Sequence, residues 1–68
     1  MSIYDLAEEI KKGNVDKGKL EDYAKREEEV IRKAVARSDK ADTDILKELI
    51  NDENMWVKKE AIKNSNLS

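Results

Sequence analysis

Carboxylates at close spacing are the groups in this chain that come nearest to a reactive constellation. Asp5 with Glu9, and Glu27 with Glu29, would divide the roles of general acid and general base if a concave, partly dry site held their pKa values apart. No histidine and no cysteine is present, so Ser-His and Cys-His nucleophile pairs and the usual near-neutral base are excluded by composition. The ordinary role of such acids is a solvated helix face, and no enzyme activity is expected. The stretch DKADTD offers Asp39, Asp42 and Asp44 as oxygen ligands. Counted from Asp42 as a calcium loop, however, it places Leu46 at a ligand position and Lys47 where the glycine belongs. Helix capping and turn formation account for these aspartates better, and no metal or cofactor is expected. Gly13 and Gly18 are the only glycines and form no phosphate-binding loop. The cations are more regular: Lys33 and Arg37 stand four apart in one segment, and Lys59 and Lys63 repeat the spacing in another. On two stacked helices the four would form a ladder able to receive an acidic partner.

The elements that must position these groups follow from spacing and punctuation. Ile3, Leu6, Ala7 and Ile10 recur at helical intervals behind a Ser2/Asp5 capping pair, and Gly13 ends the helix. Asp16 caps a second helix bearing Leu20, Tyr23 and Ala24, with Val15 as a hydrophobic staple on Leu20. Val30, Ile31, Ala34 and Val35 form a third stripe; Ile45, Leu46, Leu49 and Ile50, capped by Asp42 or Thr43, form a fourth; Trp56, Val57, Ala61 and Ile62 form a fifth. The expected core comprises Leu6, Ile10, Leu20, Val30, Ile31, Val35, Leu46, Leu49, Ile50, Val57 and Ile62. With 68 residues the chain makes one domain with a thin core. No stretch alternates with period two and no proline occurs, so the fold class is all-α, with about five short helices.

An offset of 26 positions brings distant segments into register. It pairs Ile31 with Val57, Arg32 with Lys58, Lys33 with Lys59 and Arg37 with Lys63, and equally Asp16 with Asp42, Leu20 with Leu46 and Tyr23 with Leu49. Residues 1–14 are then an N-terminal capping helix, and 15–40 and 41–66 are two 26-residue units that bury their apolar faces by stacking. A compact, non-repeating bundle is the alternative that keeps most of the same core.

From Val30 onward, VIRKAVARSDKADTDILKELINDENMWVKKEAIKNSNLS resembles the variant leucine-rich repeat, itself similar to HEAT-type helical repeats. Ile31 and Val57 match its valine position, Arg32 and Lys58 the basic residue after it, Leu46 and Leu49 its leucines, and NDEN its acidic turn. The resemblance covers residues 30–68, and 15–68 when the preceding hairpin is included. It implies a right-handed stack of short helices, some of them 3₁₀. The chain departs from the family in lacking its turn prolines, where it has SDKADTD and NSNLS. The iron-sulfur cluster of some members needs cysteines, which this chain does not have, and is not carried over.

These features point to a small interaction module, an adaptor or inhibitor of a larger protein, with Lys33, Arg37, Trp56, Lys59, Lys63 and Leu67 as candidate partner-binding residues. Trp56 is expected in the seam between units, at the position of Val30, with an exposed anchor as the competing reading. The unit ending in NSNLS leaves an open apolar end to be covered by the Leu67 tail, by a second copy in a homo-oligomer, or by another protein. The alternative function is a HEAT-like, nucleic-acid-associated protein using the basic face of the C-terminal half. Formal charge is −3 before Val30 and +1 from Val30 on, which is little for a duplex binder. No secretory pattern or membrane span is read, and a cytoplasmic location is expected.

Overall fold

The computed structural model describes residues 2–67. Five α-helices and a terminal 3₁₀ turn make up these residues: α1 Ile3–Lys11, α2 Lys17–Tyr23, α3 Glu29–Arg37, α4 Thr43–Leu49, α5 Met55–Lys63 and the turn Ser65–Leu67. None of the helices is long and apolar enough to cross a membrane. The fold is all-α, as the apolar spacing predicts. Helices α1, α3 and α5 each have nine residues and begin at 3, 29 and 55; α2 and α4 each have seven and begin at 17 and 43.

Local chemistry sets these boundaries. The Ser2 hydroxyl accepts from the Asp5 N–H at 3.3 Å while the Asp5 carboxylate accepts from the Ser2 N–H at 3.2 Å, a reciprocal cap for α1. At the other end Gly13 adopts φ +79°; its N–H donates to the Ile10 carbonyl and the Asn14 N–H to the Glu9 carbonyl, closing a left-handed terminator. Asp16 and Asp42 cap α2 and α4 by accepting from Lys19 N–H at 2.9 Å and Ile45 N–H at 3.0 Å. Asn54 caps α5 through the Trp56 and Val57 N–H groups.

α3 is the central element. It packs against α1 on one side and α5 on the other, α2 also touches it, and α4 packs on α5 and touches α3. One apolar layer results, in a molecule 32 × 21 × 17 Å. Ile10, Leu20, Ile31, Val35, Leu46, Leu49 and Val57 are fully buried or nearly so, and Leu6, Val30 and Ile50 are half-buried at its margin. Ile62 does not join the core: it is 60% exposed. On α5 the inward positions are taken by Val57 and Ala61, and Ile62 is rotated away from them. Ala36, which precedes Ile62 by 26 residues, is completely buried because it lies on the side of α3 that α5 covers. No helix among the described residues covers the corresponding side of α5.

Polar contacts across long sequence separations tie the helices and turns together. Arg32 donates from Nε to Asp52 Oδ2 at 2.7 Å and from Nη2 to Oδ1 at 3.3 Å, while its Nη1 serves the Arg26 and Glu27 carbonyls, each at 2.7 Å. Asn64 Nδ2 donates to the Ala36 and Ser38 carbonyls, and Asn66 Nδ2 to those of Asp39 and Ala41. Carbonyls in the last turn of α3 and the loop after it thus accept from amide side chains of the segment after α5.

Candidate functional site

Two surfaces collect the candidate residues. The first is the outer side of α5. Of the large apolar side chains exposed among the described residues, Met55 (77%), Trp56 (59%) and Ile62 (60%) all lie on this one helix, and Tyr4 lies on α1. Met55 and Ile62 are seven residues apart and so share a face, with Lys58 and Lys59 between them. Trp56 is not buried in a seam. Val57 points inward, and the preceding residue is turned by roughly 100° about the helix axis, which takes the indole out of the core. Its ring lies instead under the Lys59 ammonium, 5.4 Å from Nζ to the ring centroid.

The second surface is the outer side of the α1, α3 and α5 row. A cleft of about 220 Å³ between α1 and α3 has Ala7, Val30 and Ala34 in its lining, with Tyr4, Glu8, Lys11, Lys33 and Arg37 around them. Lys11 Nζ lies 2.8 Å from Glu8 Oε1, and its hydrogen bond and charge hold the Glu8 carboxyl below its usual value. Beyond the cleft, Arg37 and Lys63 both approach Glu60, each at 3.6 Å. The structure therefore brings Arg37 and Lys63 together around one carboxylate, sets Lys33 in the cleft wall and places Lys59 on the indole. The cations do not form an unbroken ladder, because Glu60 stands between two of them. Leu67 is half-buried against the core, in a 3₁₀ turn that packs on α4 and α5.

Four of the acids singled out for chemistry, Asp5, Glu9, Glu29 and Asp42, have structural partners for their carboxylates. Asp5 closes the first helix cap, Glu9 accepts from Asn14 Nδ2 at 3.4 Å, and Glu29 accepts from Asn54 Nδ2 at 2.6 Å. Asp42 is held by its cap and by Lys17 Nζ at 2.5 Å; the hydrogen bond from Lys17 and that from the Ile45 N–H lower its pKa, and Asp42 in turn raises that of Lys17. Among the described residues no group of three or more Asp or Glu is placed to hold a metal ion. Burial opposes ionisation of Asp52, yet the Arg32 hydrogen bonds, the Asn54 N–H and the Arg32 charge together outweigh it and leave the carboxyl below its usual value.

Reading by spacing misses Met55, Lys58 and the Arg32–Asp52 pair. Met55 carries a usable signal, an apolar residue that recurs after seven positions at Ile62, and Lys58 carries one in its pairing with Arg32 at the 26-residue offset. The pair spans twenty residues and has no local signature. Comparison with known proteins found no matching family model, no matching curated protein and no matching solved structure.

Proposed function

We propose that the chain is a non-catalytic protein-interaction module, an adaptor or inhibitor of a larger protein, that docks through the outer side of α5. One observation carries the reading: a nine-residue helix that already buries Val57 and Ala61 exposes Met55, Trp56 and Ile62 as well. Large apolar side chains gathered on one element, with cations beside them, are the usual marks of a contact surface, and tryptophan is enriched at binding hot spots. The recurrence of helix boundaries at 26-residue intervals supports a two-unit stack of the HEAT or variant leucine-rich-repeat kind, in which each helix buries its apolar face against a neighbour. The lack of cysteine supports work in the reducing cytoplasm.

Affinity capture from cells with the parent chain and with a Met55→Ser/Trp56→Ser/Ile62→Ser variant tests the reading. A protein held in stoichiometric amount by the parent and lost with the variant is the expected result, provided the variant keeps its helical circular dichroism. Retention of the same protein by the folded variant would refute it.

A further inference from the structure

The interface between α3 and α5 serves as a template for what α5 itself binds. Shifting by 26 residues carries the covered side of α3 onto the open side of α5: Ala36 becomes Ile62, and Arg32 becomes Lys58. Ala36 has no exposure and Ile62 has 60%. Arg32 is clamped by Asp52, which lies in the turn leading into α5, and Arg37 is approached by Glu60 on α5 itself. At the shifted positions stand Lys58 and Lys63. Lys58 is exposed with no ion pair among the described residues, and Lys63 reaches only Glu60 on its own helix, at 3.6 Å.

We infer that the open side of α5 receives a helix of another polypeptide entered through an acidic turn, with one carboxylate in the turn for Lys58 and a second about eight residues later for Lys63. Between those carboxylates the partner presents small apolar side chains to Ile62, as α5 presents Val57 and Ala61 toward the core beside α3. This specifies the partner's chemistry and rests on the reading of α5 as the docking helix. A second copy of this chain fits less well. Two α5 helices packed antiparallel about their centres would bring Lys58 and Lys59 against their own counterparts, and like charges so placed disfavour the contact.

The chain supplies its own probe. A synthetic peptide of residues 51–67 carries the acidic turn and the α5 face that already covers α3, and a staple between positions 58 and 62, both on the side turned away from α3, holds it helical. Labelled and titrated with the full chain, it is expected to bind. Lys58→Glu in the chain should weaken binding by about three- to tenfold, the range for a partly exposed charge pair. Asp52→Lys in the peptide should restore affinity for that variant and weaken it for the parent. Arg37→Glu in the chain, at the half-exposed position that Glu60 approaches, should leave peptide binding unchanged. Sensitivity to Arg37→Glu but not to Lys58→Glu would mean that the peptide displaces α5 from α3, and would overturn the inference. So would the absence of binding, a failure of the charge exchange, or concentration-dependent self-association of the parent that Ile62→Asp abolishes, which would assign the edge to a second copy. If the charge exchange fails while the triple variant still loses its captured partner, the docking helix stands and only the acidic-turn chemistry falls.

Discussion

Replacing Arg32 with Met, and Asp52 with Asn, tests the polar clamp that locks α3 to the turn before α5. The two side chains are 13% and 9% exposed, so the pair is nearly dry. Arg32→Met removes a guanidinium that serves four acceptor atoms: both Asp52 oxygens and the Arg26 and Glu27 carbonyls. Breaking one side of a buried, hydrogen-bonded pair costs about 3–5 kcal/mol. The pair lies at the edge of a thin domain, so the lower end, about 3 kcal/mol, is expected. Asp52→Asn keeps the shape and an acceptor for the Asn54 N–H, which donates to Asp52 Oδ1 at 2.8 Å in the parent, and loses mainly the charge. Its cost is about 1.5–2 kcal/mol. A domain this small has roughly 3–10 kcal/mol in total, and each 1 kcal/mol lowers Tm by about 4–8 °C. Asp52→Asn should therefore melt about 6–16 °C below the parent, and Arg32→Met about 12–24 °C below it. The pH dependence has a definite sign. The folded pKa of Asp52 lies below its ordinary value of 3.8, so its contribution is fully present above that value and is lost as pH falls through the lowered folded value. Urea melts of the singles and the double at pH 7, repeated at pH 3, give the coupling. If the two substitutions add without coupling, or Asp52→Asn leaves both Tm and the acid limb unchanged, the clamp is not a structural determinant.

Further outcomes follow from packing and backbone geometry. Leu46→Ala deletes a side chain with no exposure at the centre of the single apolar layer and should cost about 2–5 kcal/mol by chemical denaturation; a variant melting like the parent would misplace that layer. The glycines should respond with opposite signs. At Gly13, φ is +79° and a new Cβ would lie 3.2 Å from Lys40 Cε, so Gly13→Ala should lower stability by about 1–2 kcal/mol. In α2 a Cβ at Gly18 meets only Asp16 Oδ1 at 3.5 Å, an ordinary contact, so Gly18→Ala should raise stability by about 0.4–1 kcal/mol, with both shifts read from urea midpoints.

Much of the fold was legible because helices here are punctuated by local chemistry. Ser2 with Asp5, Asp16, Asp42 and Gly13 each act within four residues of themselves, so the caps could be read in line with the apolar stripes. What the stripes could not show is which side of a helix its neighbours cover. Trp56 and Ile62 flank the inward pair Val57 and Ala61 at similar angular distances, and their apolar character suggested burial; their exposure depends on whether another helix lies alongside. Arg32 and Asp52 were out of reach for a related reason. A pair twenty residues apart is made by stacking, and so is the capture of the Ala36 and Ser38 carbonyls by Asn64. The cations at Lys33, Arg37, Lys59 and Lys63 were found by spacing, but Glu60 between Arg37 and Lys63 changes what they offer a partner.

The most direct measurement is the fluorescence of Trp56, the sole tryptophan, during titration with a protein captured through the parent chain. In the free chain the indole is 59% exposed, so emission should lie near that of indole in water and iodide should quench it strongly. Docking on α5 should move the emission to shorter wavelength and protect it from iodide, saturating at one partner per chain. Saturable binding that leaves emission and quenching unchanged would take Trp56 out of the contact and contradict the docking surface made of Met55, Trp56 and Ile62.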